Sequence, residues 1–387
     1  MIKEKLFDVI AKRRCTLLGV GPMSKNCVDA AIEVANEGDV PIFLIASRRQ
    51  IECRELGGGY VENWSTEDFS SYVRQRDKRG MVLLSRDHGG PWQNENEKKR
   101  NLSLPNAMAA SKKSFKADIN SGFQVIHIDP SVDIHATPSV DEVLDRVVEL
   151  YEFCWGEASR SQRDIIFEVG TEEQTGSTNS QEELAYTLEK LNLFCASYNL
   201  PKPTFVVIQG GTRVMETRNV GSFGLPVRVE NEIPPEIQIP KMIEVCKKFG
   251  VLMKAHNTDY LSDESLSWYP KLGIHAANIA PEFGVVETNS FISVLENNGL
   301  QKLSDDFCEL AFNSEKWSKW MVPGGSVSDR DKAIISGHYV FGSDVFKEIK
   351  SKASLELEKK DLNLDAHLKS SIKKCIKRYT HNFKLER

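Results

Sequence analysis

The feature that most restricts what this chain can fold into is an alternation that persists for nearly 300 residues. Short apolar runs at 16–20, 41–46, 81–85, 125–129, 165–169, 205–209, 251–256 and 274–279 are separated by stretches such as 28–35, 106–117, 140–153, 182–198 and 241–249, in which apolar residues stand three and four apart. Short continuous apolar runs suit strands covered on both faces, and the three-to-four spacing suits amphipathic helices. Eight strand-helix units within roughly 250 residues is the size of a TIM (β/α)8 barrel, an α/β fold. An open doubly wound sheet is the alternative, because periodicity is silent on whether the sheet closes. The expected organisation is a barrel over residues 1–300, with insertions at about 54–66 and 210–240, and a C-terminal helical extension over 301–387 packed on it.

Composition narrows the function. With 40% hydrophobic and 27% charged residues, the 387-residue chain can bury a large core. A net charge of −5 supplies no basic face for nucleic acid, so a small-molecule partner is expected. The eight cysteines are scattered, without paired spacing, and read as the reduced thiols of a cytoplasmic protein. The first 14 residues form a charged amphipathic pattern rather than a secretion signal, and no apolar run reaches membrane-span length, so no membrane association is expected.

Ligands in parallel α/β folds bind at the carboxyl ends of the strands. Those ends collect Asp87 and His88 after the third run, His127 and Asp129 on the fourth, and Glu168, Thr171, Glu172 and Glu173 around the fifth. Gln209 follows the sixth run, His256, Thr258 and Asp259 the seventh, and Asn278 lies on the eighth. Imidazoles and carboxylates meeting in a barrel mouth suit a divalent cation, with zinc the expected ion. Such an ion polarises a carbonyl while a carboxylate moves a proton, the chemistry of aldol cleavage and ketose epimerisation. His88 and His256 are the expected joint ligands, with Glu168, Glu172 or Gln209 completing the coordination. His127 reads instead as a core hydrogen-bonding residue behind them. Asp259 has a second reading, as the cap of a helix beginning near Ser262. Arg213 and Arg330 are candidates for grasping an anionic substrate group.

Five segments in order, SRDHGGPWQNEN, FQVIHIDPS, EVGTEE, KAHNTDY and SVSDRDK, resemble the non-catalytic subunit of class II tagatose-bisphosphate aldolase, a family also labelled tagatose-6-phosphate kinase. The likeness extends over residues 15–345 and includes Gln50 in SRRQIE and the GGGY segment. The resemblance implies a TIM barrel of the metal-dependent class II aldolase type. By position it makes Asp87 the acid/base, His88 and His256 metal ligands and Glu168 a metal-associated carboxylate. Glu172 is placed beside Asp87 as a second catalytic candidate, and Gln50, Asp129, Gln209, Arg213, Asp259, Asn278 and Arg330 form the expected substrate-binding set. The sequence departs from the catalytic aldolases at Gln209, where they have a further histidine, and at Asn257-Thr258-Asp259-Tyr260, where they have a Gly- and Ser-rich phosphate loop. From the resembled family itself it departs at Asn278-Ile279-Ala280-Pro281-Glu282-Phe283, where that family usually shows a lysine with a small glycine step, which implies a divergent branch. No phosphate loop or magnesium motif supports a kinase. The expected activity is therefore a metal-dependent lyase or epimerase acting on a keto sugar or sugar phosphate, as a homo-oligomer or with a partner aldolase subunit. The alternative is a non-catalytic subunit that stabilises a separate aldolase.

Overall fold

In the computed structural model, which describes residues 1–171, 180–223 and 233–386, every one of the eight apolar runs is a strand. They are β1 (Leu17–Val20), β2 (Ile42–Ser47), β3 (Val82–Gly89), β4 (Val125–Ile128), β5 (Ile166–Val169), β6 (Phe205–Ile208), β7 (Leu252–Ala255) and β8 (Ala276–Ile279). Each pairs in parallel with the next, and β8 returns to β1 through Leu17 with Ala276 and Val20 with Ile279, so the sheet closes into a barrel. Closure decides between the two folds left open by periodicity. It also explains the near-uniform burial along the strands, whose outer faces lie under helices and whose inner faces fill the barrel.

The helices start where serine can cap them. Ser24, Ser65, Ser139 and Ser262 each accept a hydrogen bond from the backbone amide three residues on, satisfying a donor that the first turn leaves without a partner. The second insertion is shorter than its sequence suggests. Val214–Met215 pairs with Arg218–Asn219 in a small hairpin, and the following helix begins at Pro235 rather than at 241. Pro235 stands at the first helical position, where its fixed φ is favourable, so it opens the helix.

Beyond the barrel, Phe291, Phe307, Phe341, Phe346, Leu357 and Leu368 form a second apolar core. Phe291 comes from the last barrel helix, Pro281–Asn297, so that helix serves both cores. The final helix, Leu364–Asn382, then returns to the barrel, where Ile372, Ile376 and Tyr379 join the main core. Three of its lysines are engaged within the chain: Lys369 pairs with Glu33 at 2.5 Å, Lys373 with Glu33 at 3.1 Å and Lys377 with Glu37 at 3.3 Å. All eight cysteines are free, and no helix among the described residues is long and apolar enough to cross a membrane.

One buried carboxyl, which joins the last barrel helix to the first residues of the helix after β1, sets a pH dependence. Glu287 accepts hydrogen bonds from the Ser24 hydroxyl and from Asn26 Nδ2, the latter at 2.9 Å. Burial pushes its carboxyl up to about 7, against these hydrogen bonds. Its folded value therefore lies above its unfolded one, so the native chain binds the extra proton between them. The associated stability is complete below the ordinary glutamate range and is lost as pH rises toward 7. Glu287→Gln should flatten the fall in thermal stability between about pH 4 and pH 7, by roughly 3 kcal/mol at most. Parallel unfolding curves for wild type and variant across that range would refute this assignment.

Candidate active site

The site begins with an irregularity in β3. Its pairing with β4 shifts register between Arg86 and Gly89, and His88 between them takes φ 45°. A residue with a Cβ seldom adopts that left-handed conformation, and it persists only where surroundings over-determine it. Here the peptide N–H of His88 donates to His127 Nδ1 at 3.1 Å, and its ring Nδ1 lies 2.6 Å from Asp129 Oδ2. The bulge lets consecutive residues, Asp87 and His88, both reach the barrel mouth, where a regular strand would send them to opposite faces.

Four strands then contribute to one buried cluster. Ligating atoms of Asp87, His127, Glu168 and His256 all lie within 4.8 Å of one another. His256 Nε2 is 3.1 Å from Glu168 Oε1 and 3.8 Å from Asp87 Oδ1, while His127 Nδ1 is 3.3 Å from Asp87 Oδ1 and 3.7 Å from Glu168 Oε1. Donors bonded to a tetrahedral zinc at its usual bond lengths stand about 3.3–3.6 Å apart, so this spacing fits a small divalent cation. Two polar atoms here are buried with no hydrogen-bond partner, His127 Nε2 and Asn278 Oδ1. The Asn278 amide nitrogen contacts both Asp87 Oδ1, at 3.2 Å, and His256 Nε2, at 3.1 Å. Gly19 makes room for it, because a Cβ there would come within 2.3 Å of Asn278 Oδ1.

The electrostatics favour a cation. Burial would raise the Asp87 carboxyl, but the neighbouring His88 and His256 and the contact with the His127 ring hold it far below the usual range. Glu168 is treated likewise: burial raises it, and Lys254 with the two imidazoles overturns that and brings it to about 2. Asp129 also falls to about 2, against its burial, through His88 and Ser131. Three ionised carboxylates thus surround the site, and the ammonium of Lys254, 2.5 Å from Glu168 Oε2, balances one of them. His88 responds to the same field. Burial lowers its imidazole, yet Asp87 and Asp129 raise it to about 9. His256 moves the other way, downward, because burial outweighs its acidic neighbours.

The residues expected from sequence divide by position. Asp87, His88 and His256 line one cavity of about 460 Å³, together with Gln50, Asp129, Arg213, Asp259 and Asn278. The rings of His88 and His256 are 5.0 Å apart between centroids. Glu168 is fully buried beneath them, and Gln209 is buried at the end of β6. Glu172 lies outside the described residues. Arg330 is not among the residues lining the cavity: its guanidinium is committed to Glu296 at 2.7 and 3.0 Å, on the exposed face of the C-terminal helices. Asp259 caps a different helix from the one expected. Its Oδ1 accepts the amides of Ala280 and Glu282 at the start of Pro281–Asn297, whereas Ser262 caps its own helix. Burial, with the charge of Glu282, pushes the Asp259 carboxyl up to about 7.

Two members of the site escaped the sequence reading. His127 is part of the cluster rather than behind it, and its ring lies 5.4 Å from that of His88 and 5.3 Å from that of His256, so three imidazoles converge. The third comes from β4, not from the position after β6 held by Gln209. Lys254, two residues before His256 on β7, shares its inward face, and a lone lysine inside an apolar strand was the available signal.

Comparison with known proteins agrees with this architecture. The structure superposes on a crystal structure described as a probable tagatose 6 phosphate kinase from Sinorhizobium meliloti 1021, with a TM-score of 0.68, 16% identity and coverage of 95% of this chain and 100% of that one. It also superposes on fructose-bisphosphate aldolase (Fba) from Campylobacter jejuni, with a TM-score of 0.58, 10% identity and coverage of 100% and 94%. At such identities the shared property is the barrel fold. The sequence is more specific, since residues 9–196 match the model of a defined family. The model is that of the D-tagatose-1,6-bisphosphate aldolase subunit GatZ/KbaZ-like family, and the matched segment, just under half of the chain, carries β1 to β5 and with them Asp87, His88, His127 and Glu168.

Proposed function

We propose that this chain is a divalent-metal-dependent carbon-carbon lyase or epimerase acting on a keto sugar or sugar phosphate. The observation that carries the reading is the set of two imidazoles and two carboxylates buried beneath the cavity, with imidazole-to-carboxylate separations of 3.1 to 3.8 Å and all four ligating atoms within 4.8 Å of one another. His127, His256 and Glu168 would hold the ion, with His88 at the edge of the group and zinc the ion this donor set suits best. Bound there, a divalent cation would supply polarisation of a substrate carbonyl.

The chain's own residues supply the rest. Asp87 is ionised and lines the cavity, so it can accept a proton from a substrate carbon or hydroxyl and return it. His88 stands beside it, with Nε2 3.7 Å from Asp87 Oδ2, and its hold on Asp129 fixes the ring. Asn278 bridges Asp87 and His256 through its amide nitrogen and so fixes their separation. Gln50, whose amide oxygen is taken by Ser47 at 2.9 Å, closes one wall toward substrate.

A second reading has an observation of its own. The matching family is described as an aldolase subunit, and Gln209 stands after β6 where the catalytic aldolases carry a histidine. On that reading the chain supports a separate aldolase subunit. Assaying the isolated chain on a panel of ketoses and ketose phosphates, before and after chelation, separates the two. Turnover by the chain alone that disappears with chelator supports the enzyme. Turnover that arises only when an aldolase subunit is added supports the scaffold.

A further inference from the structure

The acidic floor of the cavity faces a cationic mouth. Arg49, just past β2, and Lys319, in the turn Ser318–Trp320, line the same cavity as Asp87, His88 and His256. Neither side chain has a carboxylate partner among the described residues, although 27% of this chain is charged and most of its buried arginines are tightly paired. The acid nearest Lys319 in effect is Glu95, and Glu95 is bound by Lys316 at 3.0 Å. Lys319 instead rests over the faces of Trp320 and Tyr339, 5.0 Å from each ring centroid. Tyr339 packs against Tyr60, ring centroids 4.9 Å apart and tilted by 52°, and receives the Trp320 indole N–H at 3.1 Å, so the platform beneath the ammonium is fixed. The Arg49 backbone is fixed as well, its carbonyl accepting the Tyr60 amide at 3.0 Å.

Two cations held toward one space without counter-charges repel each other. Lys319 is open to solvent in the mouth but enclosed by protein around its ammonium, and that burial, with the charge of Arg49, pushes it down to about 7. An oxyanion between the two would relieve the repulsion and receive charge-assisted hydrogen bonds from both. The loop after β7 offers no such place, because Asp259 occupies it and uses the adjacent helix amides itself.

We propose that Arg49 and Lys319 form an anion-binding subsite for the end group of the substrate, either a phosphate ester or a carboxylate, remote from the carbonyl end that meets the acidic floor. The aromatic platform of Tyr60, Trp320 and Tyr339 then covers the sugar chain between the two ends. This deepens the enzymatic reading of the same cavity and rests on it for the identity of the bound molecule.

The test uses the full chain, dialysed against a divalent-ion mixture and then freed of unbound ions, and two probes, inorganic phosphate and acetate, titrated calorimetrically. Phosphate or acetate should bind the wild type and bind at least about tenfold more weakly to both Arg49→Met and Lys319→Met, the loss of one charge-assisted hydrogen bond. Binding of phosphate alone assigns a phosphate ester, and binding of acetate alone a sugar acid. In the wild type, an amine-acylating reagent near neutral pH should label Lys319 ahead of the other lysines, and the bound anion should protect it. Equal affinity in wild type and both variants overturns the proposal, as does binding of neither anion or acylation that neither anion slows. Metal content, measured on the same samples, separates this from the reading beneath it. A chain that binds phosphate through Arg49 and Lys319 but retains no metal keeps the subsite and loses the lyase.

Discussion

Asp87→Asn should reduce turnover by at least about a hundredfold while leaving the fold intact, because it preserves shape and removes the ionised carboxylate that lies against both His127 and His256 in the cavity. The field of His88 and His256 that holds Asp87 ionised has no equivalent effect on an amide. Wild-type activity should in turn persist to low pH: the Asp87 carboxyl lies below its ordinary value, so its ionised form is lost only on strong acidification. The kinetic signature is a fall in kcat with little change in KM, since the proton is transferred in the transition state rather than bound in the ground state. Turnover within tenfold of wild type in the Asn variant, with matching circular dichroism, would remove Asp87 from the chemistry.

Lys254→Met should destabilise the chain by about 3–5 kcal/mol, the usual consequence of leaving a buried charge without its partner. Both groups of the pair are buried, Lys254 at 1% exposure and Glu168 at 0%, so solvent cannot take over the role of either. Glu168 sits inside the barrel between His256 and Lys254. The double variant Lys254→Met/Glu168→Gln should recover much of the loss, because it removes the orphaned charge as well as its partner. Denaturant unfolding of wild type, both single variants and the double variant gives the coupling energy directly. Additive effects would mean that the pair does not act as a unit.

How much of this was legible in the sequence differs between fold and site. The eight strands were readable because a parallel barrel strand is buried on both sides and so reads as an apolar run, and 125–129 or 205–209 can hardly be anything else. Closure was not readable, since it depends on β8 meeting β1 across the whole chain. Within the site, Asp87, His88 and His256 stood out because they follow apolar runs. His127 did not, because period-two alternation with Val125 and Asp129 is the same for a packed histidine as for one aimed at a cation. Lys254 was hidden by the run around it. Arg330 was misread because guanidinium chemistry says nothing of distance, and Glu296 on a neighbouring helix claims it. Arg49 and Lys319 are 270 positions apart, and only folding of the C-terminal segment over the barrel mouth brings them to one space. The bulge at His88 was also invisible: it is defined by the register against β4, not by any local motif.

The account turns on a cation bound among strands β3, β4, β5 and β7. Its most direct test is the metal content of the purified full chain by plasma mass spectrometry, compared with His256→Ala and His127→Ala after dialysis against a divalent-ion mixture that includes zinc. The account predicts one tightly held divalent ion per wild-type chain and its loss in both variants. A wild-type chain that retains none under those conditions, or variants that retain as much as wild type, would contradict it.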